Sequence, residues 1–177
     1  AVICNSRMVK EEIRAWFSVR EDNLHVIYSG VDTARFHPGL RGQHRAAFRG
    51  EHKIPQHATV FLYVGAGFER KGVAAFIKAF STLPDTAYAV IVGDDKRRAH
   101  YVQLANQTGA AARIRFVGAL NDVAPAYGAA DVFVLPTLYD PFPNVILEAM
   151  ASGLPVITST KSGGAELIEP GKSGYVC

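Results

Sequence analysis

The chain has 177 residues, 49% of them hydrophobic and 20% charged, enough for one full domain with a sizeable core, and this composition excludes a disordered or low-complexity polypeptide. A formal charge of +3, with Lys and Arg scattered except at Lys96-Arg97-Arg98, gives no extended nucleic-acid surface. No run approaches the ~18 apolar residues of a membrane span, and the two cysteines, Cys4 and Cys177, show neither paired nor metal-ligand spacing, which favours a reducing, cytoplasmic setting.

The chain starts without Met at Ala1-Val2-Ile3-Cys4, in a strand-like run, and stops in another at Gly174-Tyr175-Val176-Cys177, so a fragment of a longer polypeptide is expected. Asn5-Ser6 caps a helix in which Val9, Ile13, Trp16 and Phe17 recur at helical spacing. His25-Val26-Ile27-Tyr28 reads as a short strand, and the polar stretch from Arg35 to Lys53, with Pro38, Gly39, Gly42 and Gly50, as linker with one loose helix from Gln43 to Phe48. From Thr59 the pattern becomes regular. Strands are predicted at Val60–Val64, Tyr88–Val92, Ile114–Val117, Asp131–Leu135 and Val156–Thr158, separated by helices carrying Val73, Phe76, Ile77 and Phe80, then Tyr101, Val102 and Leu104, then Val123 to Tyr127, then the segment from Pro143. A last helix is expected around Ala165 to Ile168. Apolar strands alternating with helices mean a doubly wound, Rossmann-like α/β domain with a parallel sheet covered on both faces. Its ligands bind beyond the carboxyl ends of the strands.

Three loops fall at such ends: Gly65-Ala66-Gly67-Phe68-Glu69-Arg70-Lys71-Gly72, Gly93-Asp94-Asp95, and the turn from Pro136 to Asn144. The glycine loop is not a dinucleotide fingerprint, because Arg70 stands where the third glycine belongs. Nor is it a phosphate loop, because Val73 and Ala74 replace the required Lys and Ser or Thr. What remains is a cationic pair, Arg70 and Lys71, where this fold would hold a diphosphate; the bland alternative is two solvated charges. The histidines form no metal spacing, and no nucleophile elbow or Cys-His pair is present.

The turn from Thr137 to Pro155 carries the most chemistry. Pro141 and Pro143 bias the residues before them away from the helical region, and Pro143 suits a first helical position. The N–H groups of Asn144, Val145 and Ile146 then lack intrahelical partners and form a potential anion site. Asp140 precedes that start, and Glu148 leans back toward it. Two carboxylates and an anion site suit a ligand with hydroxyls and a phosphate, against the plain alternative of a cap residue and a surface charge.

With these sites assembled, the chain resembles the carboxyl-terminal half of retaining glycosyltransferases of family 4, which have the two-domain GT-B fold. The resemblance spans essentially the whole chain and rests on Val31-Asp32 with Phe36, Val64-Gly65 to Lys71-Gly72, Val92-Gly93-Asp94, Phe116-Val117-Gly118, Ala129 to Pro136, Asp140 to Pro155 and Gly163-Gly164. Gly67 to Val73 looks most like the lipopolysaccharide core glucosyltransferases. The resemblance implies that Glu148 accepts from ribose hydroxyls, that Asp140 meets donor-sugar hydroxyls, and that Arg70 and Lys71 neutralise the leaving diphosphate. Gly65, Gly67, Phe142 and the amides of Asn144 and Val145 would line the donor, with backbone from Val117 to Leu120 against the base. Asp140 replaces the family's usual Glu, Pro143 its common Gly, and Ala66 its usual Arg, whose place Arg70 takes.

Residues 1–30 would be the end of an amino-terminal domain with its linker, and residues 31–177 the donor-binding domain. The fragment is expected to bind a nucleotide sugar without turnover, to need no metal or other cofactor, and to meet a glycan or glycolipid acceptor through the other domain. The full-length enzyme would be cytoplasmic, with peripheral membrane association, and no nucleic acid is expected as partner. The competing readings are a nucleotide-sugar epimerase of the same fold and a non-catalytic nucleotide-binding module.

Overall fold

The computed structural model describes all residues from Ala1 to Cys177. A small parallel pair, β1 (Val2–Cys4) and β2 (Leu24–Val26), brackets helix α1 (Arg7–Trp16). Ser6 caps α1 by accepting from the Val9 N–H at 3.1 Å, and the Glu166 carboxylate accepts from the Arg7 N–H. The predicted strand at His25–Tyr28 thus sits one residue earlier and stops before Ile27. Helix α2 (Leu40–Glu51) leads into the main domain: β3 (Thr59–Val64), α3 (Val73–Phe80), β4 (Ala87–Val92), α4 (Arg98–Gln107), β5 (Ile114–Gly118), α5 (Ala124–Ala129), β6 (Val132–Leu135), α6 (Asn144–Ala151), β7 (Val156–Thr158) and β8 (Gly174–Val176).

The six strands of this domain are all parallel, in the order β5-β4-β3-β6-β7-β8. Side-chain alternation separates the faces. Phe61 and Tyr63 meet Phe80 and Phe76 of α3, whereas Phe133, in register with Leu62, meets Tyr127 of α5. β3 and β4 are accordingly buried on both sides from Leu62 to Val64 and from Ala89 to Val92. The chain leaves β3 in one direction through β4 and β5, then returns to place β6 on the other side of β3. That reversal is a topological switch point, and the crevice outside the carboxyl ends of the strands beside it, here β3 and β6, is the usual ligand position in such sheets.

Two further elements differ from expectation. The stretch read as linker with a loose helix is a full helix, α2, and its arginines explain why its polarity misleads. Arg41, Arg45 and Arg49 recur at four-residue spacing on one face, toward the carboxyl end of α5. Arg49 is wholly buried and donates to Ala129 O at 2.7 and 2.9 Å, to Ala58 O and Gln56 O at 2.9 Å, and to Asp131 Oδ2 at 2.8 Å. At Ala129 it thereby satisfies a carbonyl that the end of α5 leaves without a partner, and at Gln56 and Ala58 it ties down the loop before β3. The other difference is the last helix, which is a 3-10 turn over Gly163–Leu167.

Candidate functional site

The loops after β3 and β6 meet at the crevice. Gly72 has φ +77°, and a Cβ there would lie 1.9 Å from Pro136 O, so this approach admits no side chain. Leu138 N–H and Thr137 Oγ1 both donate to Arg70 O, at 2.8 and 3.1 Å, and Arg70 Nη1 donates to Tyr139 O at 2.7 Å. Arg70 Nη1 and Lys71 Nζ each stand 3.4 Å from the same oxygen of Asp140, Oδ2. Lys71 lies across Gly65, where a Cβ would sit 2.9 Å from its Cδ. Arg70, Lys71, Gly65 and Asp140 therefore form one cluster, and Lys71 is not a solvated surface charge: its side chain is only 14% exposed.

Asp140 is held by its backbone as well as by the cations. Its N–H donates to Lys161 O at 3.0 Å, and its carbonyl accepts from the Gly163 N–H at 2.9 Å. The glycine loop has its own brace, because Asp95 Oδ2 accepts from the Phe68 N–H and Oδ1 from the Arg97 N–H, both at 2.8 Å. Those two backbone donors hold the Asp95 carboxyl below its ordinary value. Arg97 also pairs with Glu69 at the rim of the loop, and Gly67, at φ +71°, is exposed beside it.

Pro143 is extended, with φ −75° and ψ 114°, and is the cap rather than the first residue of α6. The Ile146 N–H consequently turns onto Pro143 O at 3.0 Å and is unavailable to an anion. Asn144 and Val145 keep N–H groups without a protein acceptor at this helix start. Phe142, expected among the donor contacts, is 6% exposed and packs its ring on Tyr28 with centroids 5.4 Å apart, so its side chain is already occupied.

Glu148 stands apart from the cation cluster, with no ion pair. Its Oε2 accepts from Tyr127 Oη at 2.8 Å. Sequence reasoning passed over Tyr127, because a tyrosine at helical spacing in an apolar segment looks like any core aromatic. Val117 and Leu120 lie, partly buried, at and beyond the carboxyl end of β5, separated from β3 by β4.

The sequence pattern of the family described as "Glycosyl transferases group 1" matches residues 44–177, well over half of the chain. The chain belongs to the group 1 glycosyl transferases. Residues 1–35 match a second family pattern, "Glycosyltransferase Family 4". Among group 1 relatives, the chain is 31% identical to the lipopolysaccharide core biosynthesis glycosyltransferase LpsE of Rhizobium meliloti, over 99% of this chain and 48% of that protein. It superposes on the crystal structure of WaaG, a glycosyltransferase involved in lipopolysaccharide biosynthesis, with a TM-score of 0.87 at 26% identity, covering 98% of this chain and 48% of that one. On Anabaena Alr3699/HepE in complex with UDP and glucose the TM-score is 0.85 at 27% identity, over 99% and 48% of the two chains. The chain thus spans about half the length of the curated relatives it matches. No helix in it is long and apolar enough to cross a membrane.

Proposed function

We propose that this chain is the donor-binding half of a retaining glycosyltransferase that takes a hexose from a nucleoside diphosphate and passes it to a lipopolysaccharide-core or similar glycan. The observation that carries the reading is the convergence of Arg70 and Lys71 on Asp140 at the sheet's switch point, in the same loop cluster as the two open amides of α6. As the glycosyl bond breaks, negative charge grows on the leaving diphosphate, and fixed cations and amides stabilise it more than they stabilise the intact donor. Asp140 accepts from donor-sugar hydroxyls, and Glu148 from those of the ribose. Positive charge from Arg70 and Lys71 makes a metal ion unnecessary. Residues 1–30 belong to the amino-terminal domain, which supplies the acceptor site, and the full-length enzyme works at the cytoplasmic face of a membrane.

The HepE complexes with UDP and UDP-glucose, at 27% identity, make UDP-glucose the first donor to test. Calorimetric titration of the chain with UDP, GDP, ADP and UDP-glucose, with and without chelator, would measure binding directly. Lys71→Ala and Glu148→Ala are each expected to weaken the best ligand about tenfold or more. Unchanged affinity in both variants would overturn the assignment.

A further inference from the structure

Glu148 is a partly buried carboxylate with one protein donor and no cation within ion-pair distance. That donor, Tyr127, is 1% exposed and cannot swing away. Its ring stands edge-on to Phe36 at 5.6 Å and 87°, and tilts against Phe133 at 6.0 Å. The helix that carries it is fixed at its far end, where Arg49 and Arg45 of α2 hold the carbonyls of Ala129 and Ala130. A phenol has one proton to give. Here it points to Glu148 Oε2 at 2.8 Å, with Val145 O a poorer acceptor at 3.4 Å. Burial, reinforced by the neighbouring carboxylate, pushes the Tyr127 phenol well above its usual value, so it stays a donor throughout the neutral range. Oε1 has no partner in the protein.

We propose that Tyr127 is a positioning residue, which by holding Oε2 fixes the Glu148 carboxylate with Oε1 as the acceptor for a hydroxyl of the nucleotide's ribose. The inference rests on the reading that Glu148 meets the ribose. It adds that recognition of the ribose as a polyhydroxyl sugar depends on a tyrosine that never touches the ligand. Without the phenol, the carboxylate rotates freely about its terminal torsion and must be ordered by the ligand at the ligand's own entropic cost.

The test compares UDP with 2′,3′-dideoxy-UDP by calorimetry on the wild-type chain, Tyr127→Phe, Glu148→Gln and Glu148→Ala, with thermal unfolding of each. The wild type is expected to prefer UDP. Tyr127→Phe should lower UDP affinity by about tenfold and leave dideoxy-UDP affinity unchanged. Glu148→Gln, which keeps an acceptor for Tyr127 but replaces the anion by a neutral amide, should narrow the preference. Equal loss for both ligands in Tyr127→Phe would mean a merely structural role and would overturn the proposal, as would no loss for either. If Glu148→Ala keeps the full preference for UDP, the ribose reading itself falls. Loss of preference in Glu148→Ala with full preference in Tyr127→Phe overturns the positioning role alone.

Discussion

Asp140 meets both cations of the glycine loop through one oxygen, so in the ligand-free chain it is their counter-ion. A diphosphate entering the crevice competes with that carboxylate for the same charge. Asp140→Asn is therefore expected to strengthen binding of bare UDP by roughly fivefold, the release of about 1 kcal/mol of pairing. Under the proposed function the same change should lower glycosyl transfer, because the sugar hydroxyls would lose an anionic acceptor. Weaker UDP binding by Asp140→Asn would show instead that the carboxylate organises the cations for the ligand. The convergence of these residues was legible in the sequence, because strand-end loops of a doubly wound sheet gather on one edge. Their mutual pairing was not, since it depends on a backbone approach at Gly72 that no local pattern encodes.

At the scale of elements, α2 shows how charge can build a core. Its arginines end on Asp131, whose carboxyl is raised by burial but lowered more by hydrogen bonds from Arg45, the Val60 N–H and Arg49, and it settles at about 2 against an ordinary 3.8. A depressed folded-state pKa contributes stability that is complete above the unfolded value and is lost as pH falls through the folded one. The window is therefore from about pH 4 down to about 2, and the amount about 2 kcal/mol. Chemical unfolding from pH 5 to pH 2 should show this loss in the wild type and not in Asp131→Asn. Parallel pH curves for the two chains would contradict the assignment. At neutral pH the variant should already be less stable by roughly 3–5 kcal/mol, because buried Arg49 is left without its counter-charge. Periodicity gave only the middle of α2, because just two apolar residues of its buried face, Leu40 and Phe48, stand beside a buried arginine, Arg49. The central strands and the helix α3 were legible because apolar spacing defines them, Val73, Phe76, Ile77 and Phe80 all being buried. Gly163–Leu167 tightened to a 3-10 turn between Ser162 and Ile168, each in extended conformation.

The whole molecule joins two sheets of unequal standing, a two-stranded pair from residues 1–26 and the six-stranded domain. Glu12 of α1 accepts from Tyr139 Oη at 2.7 Å, and Tyr28 packs at a tilt against Phe142, so the first sheet's surroundings reach the loop that carries Asp140. Under the proposed function the acceptor site lies outside these residues, and the chain alone is expected to bind UDP-glucose without glycosyl transfer. A radiolabelled-sugar assay with lipopolysaccharide-core acceptors checks this, and measurable product from the isolated chain would contradict it. Consumption of UDP-glucose by the full-length protein without any acceptor would favour an epimerase. The loops after β3 and β6, bound through Arg70 O, Tyr139 O and the contact of Gly72 with Pro136, have a consequence for anyone recombining such domains. They are a single interchangeable part: a chimera that imports one loop from a relative breaks a seam of matched backbone bonds, so the two loops have to be transplanted together.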